Sequence, residues 1–408
     1  MTRPTTGLIS VDDALAAILA HRQAPATETA PLYAALGRTL AAPLVAQVTQ
    51  PPLAVSAMDG YAVRHSDVAT AGATLRVIGE APAGKPFPGA IASGEAVRIF
   101  TGGAIPDGAD HVVIQENVTA HATQGDPGAQ INIAAPEAGP RHIRPAGLDF
   151  SRGDTLALTG TTLSPAHLAA AAAANHSHLP VLRRPRVALL ANGDELREPG
   201  SALAPGEIIA SSRYSLAGLI RDWGGEPVDL GIAADSVTAI QRAVTGADSA
   251  DIIVPVGGAS VGDHDHMRHA FDGLGAETIF AKVAVKPGKP TWFARLGARQ
   301  RVLGLPGNPA SALVCAHLFL KPLITGDSAR RVRARLTHAL TPHVGREAFL
   351  RAQLNVSSTG ALEITPATNQ DSALIHPFLT ANALIRRGAQ DPARTPGDPV
   401  DAWMIGPL

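Results

Sequence analysis

The order of apolar and polar positions divides the chain into regions with different secondary-structure patterns. Between residues 186 and 325, short apolar runs alternate with amphipathic stretches of helical spacing. Such alternation is typical of a mainly parallel sheet with helices on both faces, so it predicts a central doubly wound α/β domain. In order, the runs are RVALLA, SLAGLIRDW, PVDLGIA, SVTAIQRAV, DIIVPV, IFAKVAV and a helix from Pro309.

The regions on either side have other patterns. Ser10 precedes a capped amphipathic helix, and a second helical stretch is predicted around residues 31–40. Short β-like runs bounded by Gly, Pro or Asp follow, and similar runs occupy the chain after residue 330. We therefore predict a helical and extended N-terminal domain (1–53 and 151–184), an inserted β module (54–150), the α/β domain (185–328) and a small C-terminal β domain (329–408).

Composition excludes several classes of partner. Lys plus Arg number 34 and Asp plus Glu number 35, so no global field attracts nucleic acid or acidic membranes. Cys315 is the single cysteine, which excludes disulfides within the chain and favours a reducing compartment. The sequence has no signal-peptide pattern and no apolar run of ~18 residues, so we expect a cytoplasmic protein without membrane or nucleic-acid partners.

The stretch DIIVPVGGASVGDHD, residues 251–265, predicts a ligand site at a strand end. Its apolar run enters Gly257 and Gly258, and Ser260, Gly262 and Asp265 follow. Open backbone amides and a hydroxyl suit an oxyanion, whereas neighbouring carboxylates repel it unless a cation lies between them. Magnesium with a phosphorylated ligand satisfies both requirements. The alternative is an ordinary glycine-rich turn with solvated aspartates.

Two further segments offer anion-binding chemistry. Lys286 and Lys289 flank a Pro-Gly turn that can present both ammonium groups to one phosphate or molybdate; the alternative is a solvated basic turn. In LPGNPAS, Asn308 is a good helix cap and Pro309 a good first helical residue. The amides near Ser311 then form an anion site, and the simpler interpretation, a well-capped helix, is compatible with it.

Ligands of doubly wound folds bind beyond the carboxyl ends of the strands, where Glu195 and Asp235 follow the first two strand runs. His264, His266 and His269 suggest zinc, although surface or ligand-contacting histidines are the alternative. The sequence contains no P-loop motif and no Gly-x-Ser-x-Gly elbow, which removes those nucleotide-hydrolase and serine-hydrolase classes.

Four motifs taken together resemble a known family. SAMDGYAV, GGASVGD, KPGKP and GLPGNPASA are similar to segments of the MoeA-type molybdopterin molybdenumtransferases, which are related to gephyrin, and the resemblance extends over the whole chain. It implies an enzyme that takes adenylylated molybdopterin, uses magnesium or another divalent cation to cleave the phosphoanhydride, and delivers molybdate with release of AMP. It also implies a homodimer in which two subunits complete one cleft, and possible contacts with other proteins of molybdenum cofactor biosynthesis.

The resemblance also assigns roles to residues. Catalytic roles fall to Asp59, Thr101, Glu195, Asp235 and Asp265, of which Glu195, Asp235 and Asp265 would hold the metal. Substrate binding falls to Gly257, Gly258, Ser260, Gly262, Lys282, Lys286, Lys289, Pro306, Asn308, Pro309 and Ser311. The Gln115-Glu116 pair would face the cleft, and Arg346, Phe349, Arg351, Gln370, Ser372 and Asn382 match the last domain of the family.

Several positions depart from the family pattern. Ala191-Asn192 replaces Ser-Thr, Ala210-Ser211-Ser212 replaces Asp-Ser/Thr-Asn, and Leu148 replaces an acidic residue. Asn175 stands where the family usually has a glycine at a helix end, and Asn also tolerates the left-handed conformation. The alternative to an enzyme is therefore a divergent paralogue that binds molybdopterin or its nucleotide, as an assembly partner, without turnover.

Overall fold

The computed structural model describes residues 5–70, 72–120, 127–134, 141–257, 266–327 and 330–408. Backbone contacts divide the chain into two compact units. The first consists of Met1–Ala26 and Arg183–Leu408, and the second, Thr27–Leu182, is inserted between these two segments. Within the described ranges, no helix is both long enough and apolar enough to cross a membrane.

The secondary-structure elements are numbered in chain order. The strands are β1 (Thr5–Ile9), β2 (Thr27–Pro31), β3 (Leu44–Val45), β4 (Val55–Ser56), β5 (Gly60–Val63), β6 (Ala73–Ala81), β7 (Glu95–Ile99), β8 (His111–Ile114), β9 (Val118–Ala120), β10 (Gln130–Ile133), β11 (Ile143–Arg144), β12 (Thr155–Ala157), β13 (His178–Leu182), β14 (Arg186–Asn192), β15 (Leu196–Arg197), β16 (Ile208–Ile209), β17 (Glu226–Ala233), β18 (Ile252–Val256), β19 (Ala276–Val283), β20 (Val285–Lys286), β21 (Trp292–Leu296), β22 (Gln300–Gly304), β23 (Arg331–Leu336), β24 (His343–Val344), β25 (Glu347–Val356), β26 (Leu362–Pro366), β27 (Ala383–Arg387), β28 (Gln390–Asp391) and β29 (Pro399–Met404). The α-helices are α1 (Val11–His21), α2 (Pro165–Ala173), α3 (Ser212–Asp222), α4 (Val237–Thr245), α5 (His266–Gly273), α6 (Pro309–Cys315) and α7 (Lys321–Thr325), and a π-helical stretch, Ala316–Leu320, joins α6 to α7.

A mixed, mainly parallel sheet forms the centre of the first unit, in the order β1-β19-β21-β22-β18-β14-β17. Its pairs are parallel except for β19–β21 and β21–β22. Alternate residues of β14 face opposite sides: Val187 belongs to the apolar cluster that includes residues of α1, α3 and the α6–α7 helix, whereas Ala188 belongs to the cluster that includes residues of α4 and α5. This arrangement confirms the predicted doubly wound sheet with helices on both faces.

The predicted helix around residues 31–40 is wrong. Only a 3-10 turn, Leu32–Ala34, forms there, and Gly37 has a left-handed φ of 70°. The backbone amides of this segment bond to distant carbonyls instead, Leu32 N to Ser177 O and Leu40 N to Thr161 O, both at 3.0 Å. Tertiary pairing therefore overrides the local helical pattern.

The second unit contains a six-stranded sheet, in the order β8-β5-β7-β6-β10-β9. A separate apolar cluster in this unit joins Leu40 and Leu44, before that sheet, to Leu163 and Val181, after it. Asn175 follows α2 with φ of 70°, which confirms the expected left-handed helix end. The domain boundaries given by the sequence patterns stay predictions. In this structure, β1 and α1 belong to the first unit.

Five strands of the C-terminal chain and the short β20 form a six-stranded sheet, β20-β25-β26-β23-β29-β27, in which β25 also pairs with β27. The small C-terminal β region is therefore present as expected. Its β25 pairs in parallel with β20, which carries Lys286. The sheet thus joins the C-terminal β region to the lysine turn.

Candidate active site at the carboxyl ends of the central strands

The carboxyl ends of β14, β18 and β22 open into two adjoining cavities, which we call the strand cavity and the lysine cavity. Their volumes are about 660 Å³ and 730 Å³, and Pro290, Pro306 and Asn308 line both. The strand cavity is also lined by Ala191, Asn192, Glu195, Ala210, Ser211, Ser212, Arg213, Gly257 and Pro309. The lysine cavity is also lined by Lys286, Lys289, Ser311, His343, Arg346, Asn369, Gln370, Asp371 and Ser372. Together they form a strand-end cleft, where the doubly wound fold predicts a ligand.

Two close backbone approaches shape the strand cavity. A Cβ on Gly257, which has φ of 98°, would lie 2.6 Å from Asn192 O, so only glycine allows β14 and β18 to end this close together. At Gly193 a Cβ would lie 2.6 Å from Glu195 Oε2, so the glutamate carboxyl packs over this glycine. Because Gly193 has no side chain, the Glu195 carboxyl can occupy this position on the cleft wall.

Of the three carboxylates predicted to share a metal, the structure describes Glu195 and Asp235. Glu195 lines the strand cavity, but Asp235 is exposed and does not line it. The Asp235 amide donates to Asp194 Oδ1 at 3.0 Å, which ties the loops after β14 and β17 together. Asp265, Gly258, Ser260 and Gly262 lie outside the described residues, as does His264. Among the residues that are described, no three His, Cys, Asp or Glu side chains form a metal-binding group, zinc included.

The lysine turn is anchored to the buried α6 helix. Gly288 has φ of 120°, and a Cβ there would lie 2.1 Å from Cys315 Sγ. Thr291 Oγ1 donates to Gly288 O at 2.8 Å and also contacts Cys315 Sγ at 3.1 Å. Burial raises the pKa of the Cys315 thiol to about 12, so this side chain is a neutral packing group. The anchor leaves Lys286 and Lys289 exposed on the wall of the lysine cavity.

The start of α6 differs in one respect from the predicted anion site. Asn308 has the extended backbone of an N-cap, but its side chain does not cap the helix; its Nδ2 donates to Ser372 Oγ at 3.1 Å. The Ala310 amide donates to Ser372 O at 3.1 Å, so this amide is already bonded to protein. Ser311, a buried residue that lines the lysine cavity, offers a hydroxyl donor there.

A buried arginine holds the far wall of the lysine cavity. Arg351 is 1% exposed and donates to the carbonyls of Leu374 and Asp371, at 2.9 and 3.0 Å. Its backbone amide also donates to Gln370 Oε1 at 2.9 Å. Sequence reasoning missed Asn369 and Asp371, because a loop without a motif gives no signal of the wall it forms.

Lys282 lies in neither cavity. It is half-buried on β19, opposite Leu8 of β1. The structure thus brings Lys286 and Lys289 together at the cleft, while Lys282 lies on β19, between the edge strand β1 and β21.

Five of the positions that depart from the family pattern line the strand cavity: Ala191, Asn192, Ala210, Ser211 and Ser212. Leu148 and Asn175 belong to the second unit. Ala210 is buried, and Ser212 begins α3. The next residue, Arg213, is 3% exposed and pairs with Asp229 and Glu198, each at 2.5 Å. Sequence reasoning missed these two partners, since no spacing rule connects them to α3.

In the second unit, Asp59 and Thr101 contact each other. The Thr101 amide and hydroxyl both donate to Asp59 Oδ1, at 2.6 and 2.8 Å. Buried Arg98 lies nearby in sequence and donates to Gln115 Oε1 at 2.7 Å. The Thr101 amide, followed by its hydroxyl, holds the pKa of Asp59 below the ordinary 3.8. The pair predicted to act together is therefore a fixed, ionised unit.

A titration tests this pair. Because the folded pKa of Asp59 is lowered, its contribution to stability is present above about pH 3.8 and is lost as the pH falls through the folded pKa. Thr101→Val removes the hydroxyl bond but keeps the amide bond, so we expect the pKa of Asp59 to rise part of the way towards 3.8. Carboxyl-carbon NMR measures it, with exposed Thr119→Val as control. An unchanged pKa of Asp59 in Thr101→Val would show that the hydroxyl bond has no effect.

Family models match three consecutive parts of the chain. They are described as the MoeA N-terminal region (domain I and II), over residues 9–175, a probable molybdopterin binding domain, over residues 188–326, and the MoeA C-terminal region (domain IV), over residues 333–405. The three matches cover nearly all of the chain.

Curated relatives and solved structures agree with these matches. A molybdopterin molybdenumtransferase of Haemophilus influenzae is 33% identical over 93% of this chain and 94% of its own length. One from a Nostoc species is 38% identical over 73% of this chain and 69% of its own. Two crystal structures of the molybdopterin biosynthesis MoeA protein of Pyrococcus horikoshii cover 98% of this chain and 100% of their own, at 27% and 26% identity with TM-scores of 0.84 and 0.71.

Proposed function

The chain belongs to the family of MoeA-type molybdopterin molybdenumtransferases, and on that premise we propose that it inserts molybdate into adenylylated molybdopterin with release of AMP. The observation that carries the proposal is the strand-end cleft, which holds Glu195 in one cavity and Lys286 with Lys289 in the other. An anionic nucleotide and an oxyanion both need cationic groups, and a reacting anhydride needs stabilisation of the charge that develops on it.

We assign anion binding to the lysine cavity. Lys286 and Lys289 are exposed on a turn that Cys315 and Thr291 hold in place, so their ammonium groups bind phosphate or molybdate without reorganising the backbone. Ser311 supplies a hydroxyl donor from the buried start of α6. The Gly257 backbone lets a ligand approach the end of β18 closely.

Magnesium suits the chemistry of the predicted carboxylates. It prefers oxygen ligands and is commonly held by one or two carboxylates together with substrate phosphates, so it does not need a cluster of three side chains. We propose that Glu195 and Asp265 hold it, with Asp235 on the adjoining loop. When bound, the ion would neutralise charge on the phosphate oxygens of the nucleotide. Glu195 would orient these groups on the cleft wall.

We propose that a second copy of the chain completes the cleft with Asp59 and Thr101, in a cytoplasmic homodimer. Asp59→Asn and Glu195→Gln would each inactivate one half of such a site. Co-expressed, they form mixed dimers in which one cleft carries both defects and the other carries neither. We expect about a quarter of wild-type activity if subunits assemble at random. No recovery, or a monomer by light scattering, contradicts a shared cleft.

An assay of the purified protein tests the function itself. It is incubated with adenylylated molybdopterin, magnesium and molybdate, and AMP release is followed together with activation of a molybdenum-free apoenzyme. We expect both, with AMP release dependent on molybdate. Tight nucleotide binding without AMP release, across molybdate concentrations and divalent metals, would instead identify a binding paralogue or assembly partner of other cofactor-biosynthesis proteins.

A further inference from the structure

A third cavity lies at the opposite edge of the central sheet, at the amino ends of β14, β18 and β22. Its volume is about 220 Å³, and the segment after α1 and the last turn of α7 complete its wall. We call it the basic cavity, because four of the described residues that line it are arginines and only one is acidic. These are Arg22, Arg183, Arg299, Arg301 and Asp251.

Two of the arginines are fixed in the wall by backbone carbonyls. Arg22 Nε and Nη2 donate to the carbonyls of Leu323 and Ile324, at 3.2 and 3.0 Å. Arg301 Nε donates to His21 O at 2.5 Å. Burial lowers the pKa of both guanidinium groups, although guanidinium stays charged in proteins. Two partly desolvated cations are therefore held at fixed positions.

The other two arginines have different surroundings. Arg183 pairs with Asp251 at 2.6 Å, so the acidic residue of the cavity is already engaged. Arg299 follows β21 in the turn before β22, and it forms no hydrogen bond or ion pair with the described parts of the chain. Its guanidinium is therefore available to a ligand at the cavity.

We propose that the basic cavity binds a phosphate-type oxyanion, at a site separate from the strand-end cleft. Four guanidinium charges face Asp251 in the wall and Asp327, which interacts electrostatically with Arg22, so a formal excess of two positive charges remains. Such repulsion costs free energy that a bound anion offsets, and planar guanidinium groups match phosphate geometry. The cavity volume of about 220 Å³ is several times the volume that one water molecule takes up in the liquid, about 30 Å³. A tetrahedral oxyanion therefore fits in the cavity.

Calorimetric titration with inorganic phosphate at constant ionic strength tests the site. The titration uses a Lys286→Ala/Lys289→Ala background, which removes the phosphate binding proposed for the cleft. We expect one phosphate per chain, with affinity lowered about tenfold by Arg299→Ala, because a charge-assisted hydrogen bond is lost. Arg333→Ala is the matched control: it removes an exposed arginine outside the cavity, and it should leave phosphate binding unchanged.

The result overturns the proposal if the double-lysine variant binds no phosphate, or if Arg299→Ala binds phosphate as tightly as Arg333→Ala does. A parallel titration with AMP distinguishes two sources of the same chemistry. AMP binding that Arg299→Ala weakens supports a site for phosphate esters, whereas binding of phosphate alone supports one for the free anion. In the lysine-intact protein, Arg299→Ala should release AMP at the wild-type rate, so the proposal stands apart from the transferase reaction.

Discussion

We expect Glu195→Gln to lower the rate of AMP release at least about a hundredfold, while the protein stays folded. Glu195 lines the strand cavity and packs over Gly193, and glutamine has nearly the same shape. The substitution therefore removes a charge rather than a contact. AMP release from adenylylated molybdopterin, measured under single-turnover conditions, checks the rate.

Nucleotide affinity, measured separately, distinguishes a chemical role of Glu195 from a binding role. The control is Glu277→Gln, an exposed carboxylate on β19 that pairs with Arg295 outside both cavities. We expect it to release AMP at the wild-type rate. Equal rates of AMP release for Glu195→Gln and Glu277→Gln would mean that Glu195 has only a structural role in its loop.

We expect Gly288→Ala to lower the free energy of unfolding by about 2–4 kcal/mol, through overpacking and backbone strain. The added methyl would lie 2.1 Å from Cys315 Sγ, which is fully buried, and Gly288 has φ of 120°. Because the same turn carries Lys286 and Lys289, we also expect weaker anion binding. Denaturant unfolding measures the first effect and calorimetry the second.

Gly275→Ala separates the two causes, since it has φ of 83° but open space around the new methyl. It should cost only the conformational part, about 1 kcal/mol. Cys315→Ala combined with Gly288→Ala should recover part of the loss, because it removes the clashing sulfur. No recovery in the double variant would mean that backbone strain alone accounts for the effect.

The sequence patterns predicted the features that depend on residues close together in the chain. The strand and helix alternation of the central sheet was visible. The strand-end rule pointed to Glu195, and the Pro-Gly turn pointed to Lys286 and Lys289; all three line the strand-end cleft, and their roles stay predictions. The β21–β22 hairpin was not foreseen, although it makes the sheet mixed. Its two strands lie between stronger motifs, and their antiparallel pairing depends on contacts with β18 and β19.

Side-chain partners were less predictable, because distant loops supply them. Asn308 was expected to cap α6, but Ser372, 64 residues away, provides a tertiary partner. Asp235 was expected at the metal, yet its loop leaves it exposed outside both cavities. The roles of Asp265 and of the glycines after Gly257 stay predictions, since those residues lie outside the described part of the chain.

The first strand of the chain has a consequence for synthesis on the ribosome. β1 pairs with β19, and Ile9 lies opposite Val283, so roughly 270 residues separate them. At about 5–20 residues per second, translation leaves β1 without its partner for about 14–54 s. The whole inserted unit emerges from the ribosome during this interval. The nascent chain must therefore keep β1 and the apolar face of α1 from pairing elsewhere until the second half of the central sheet has been made.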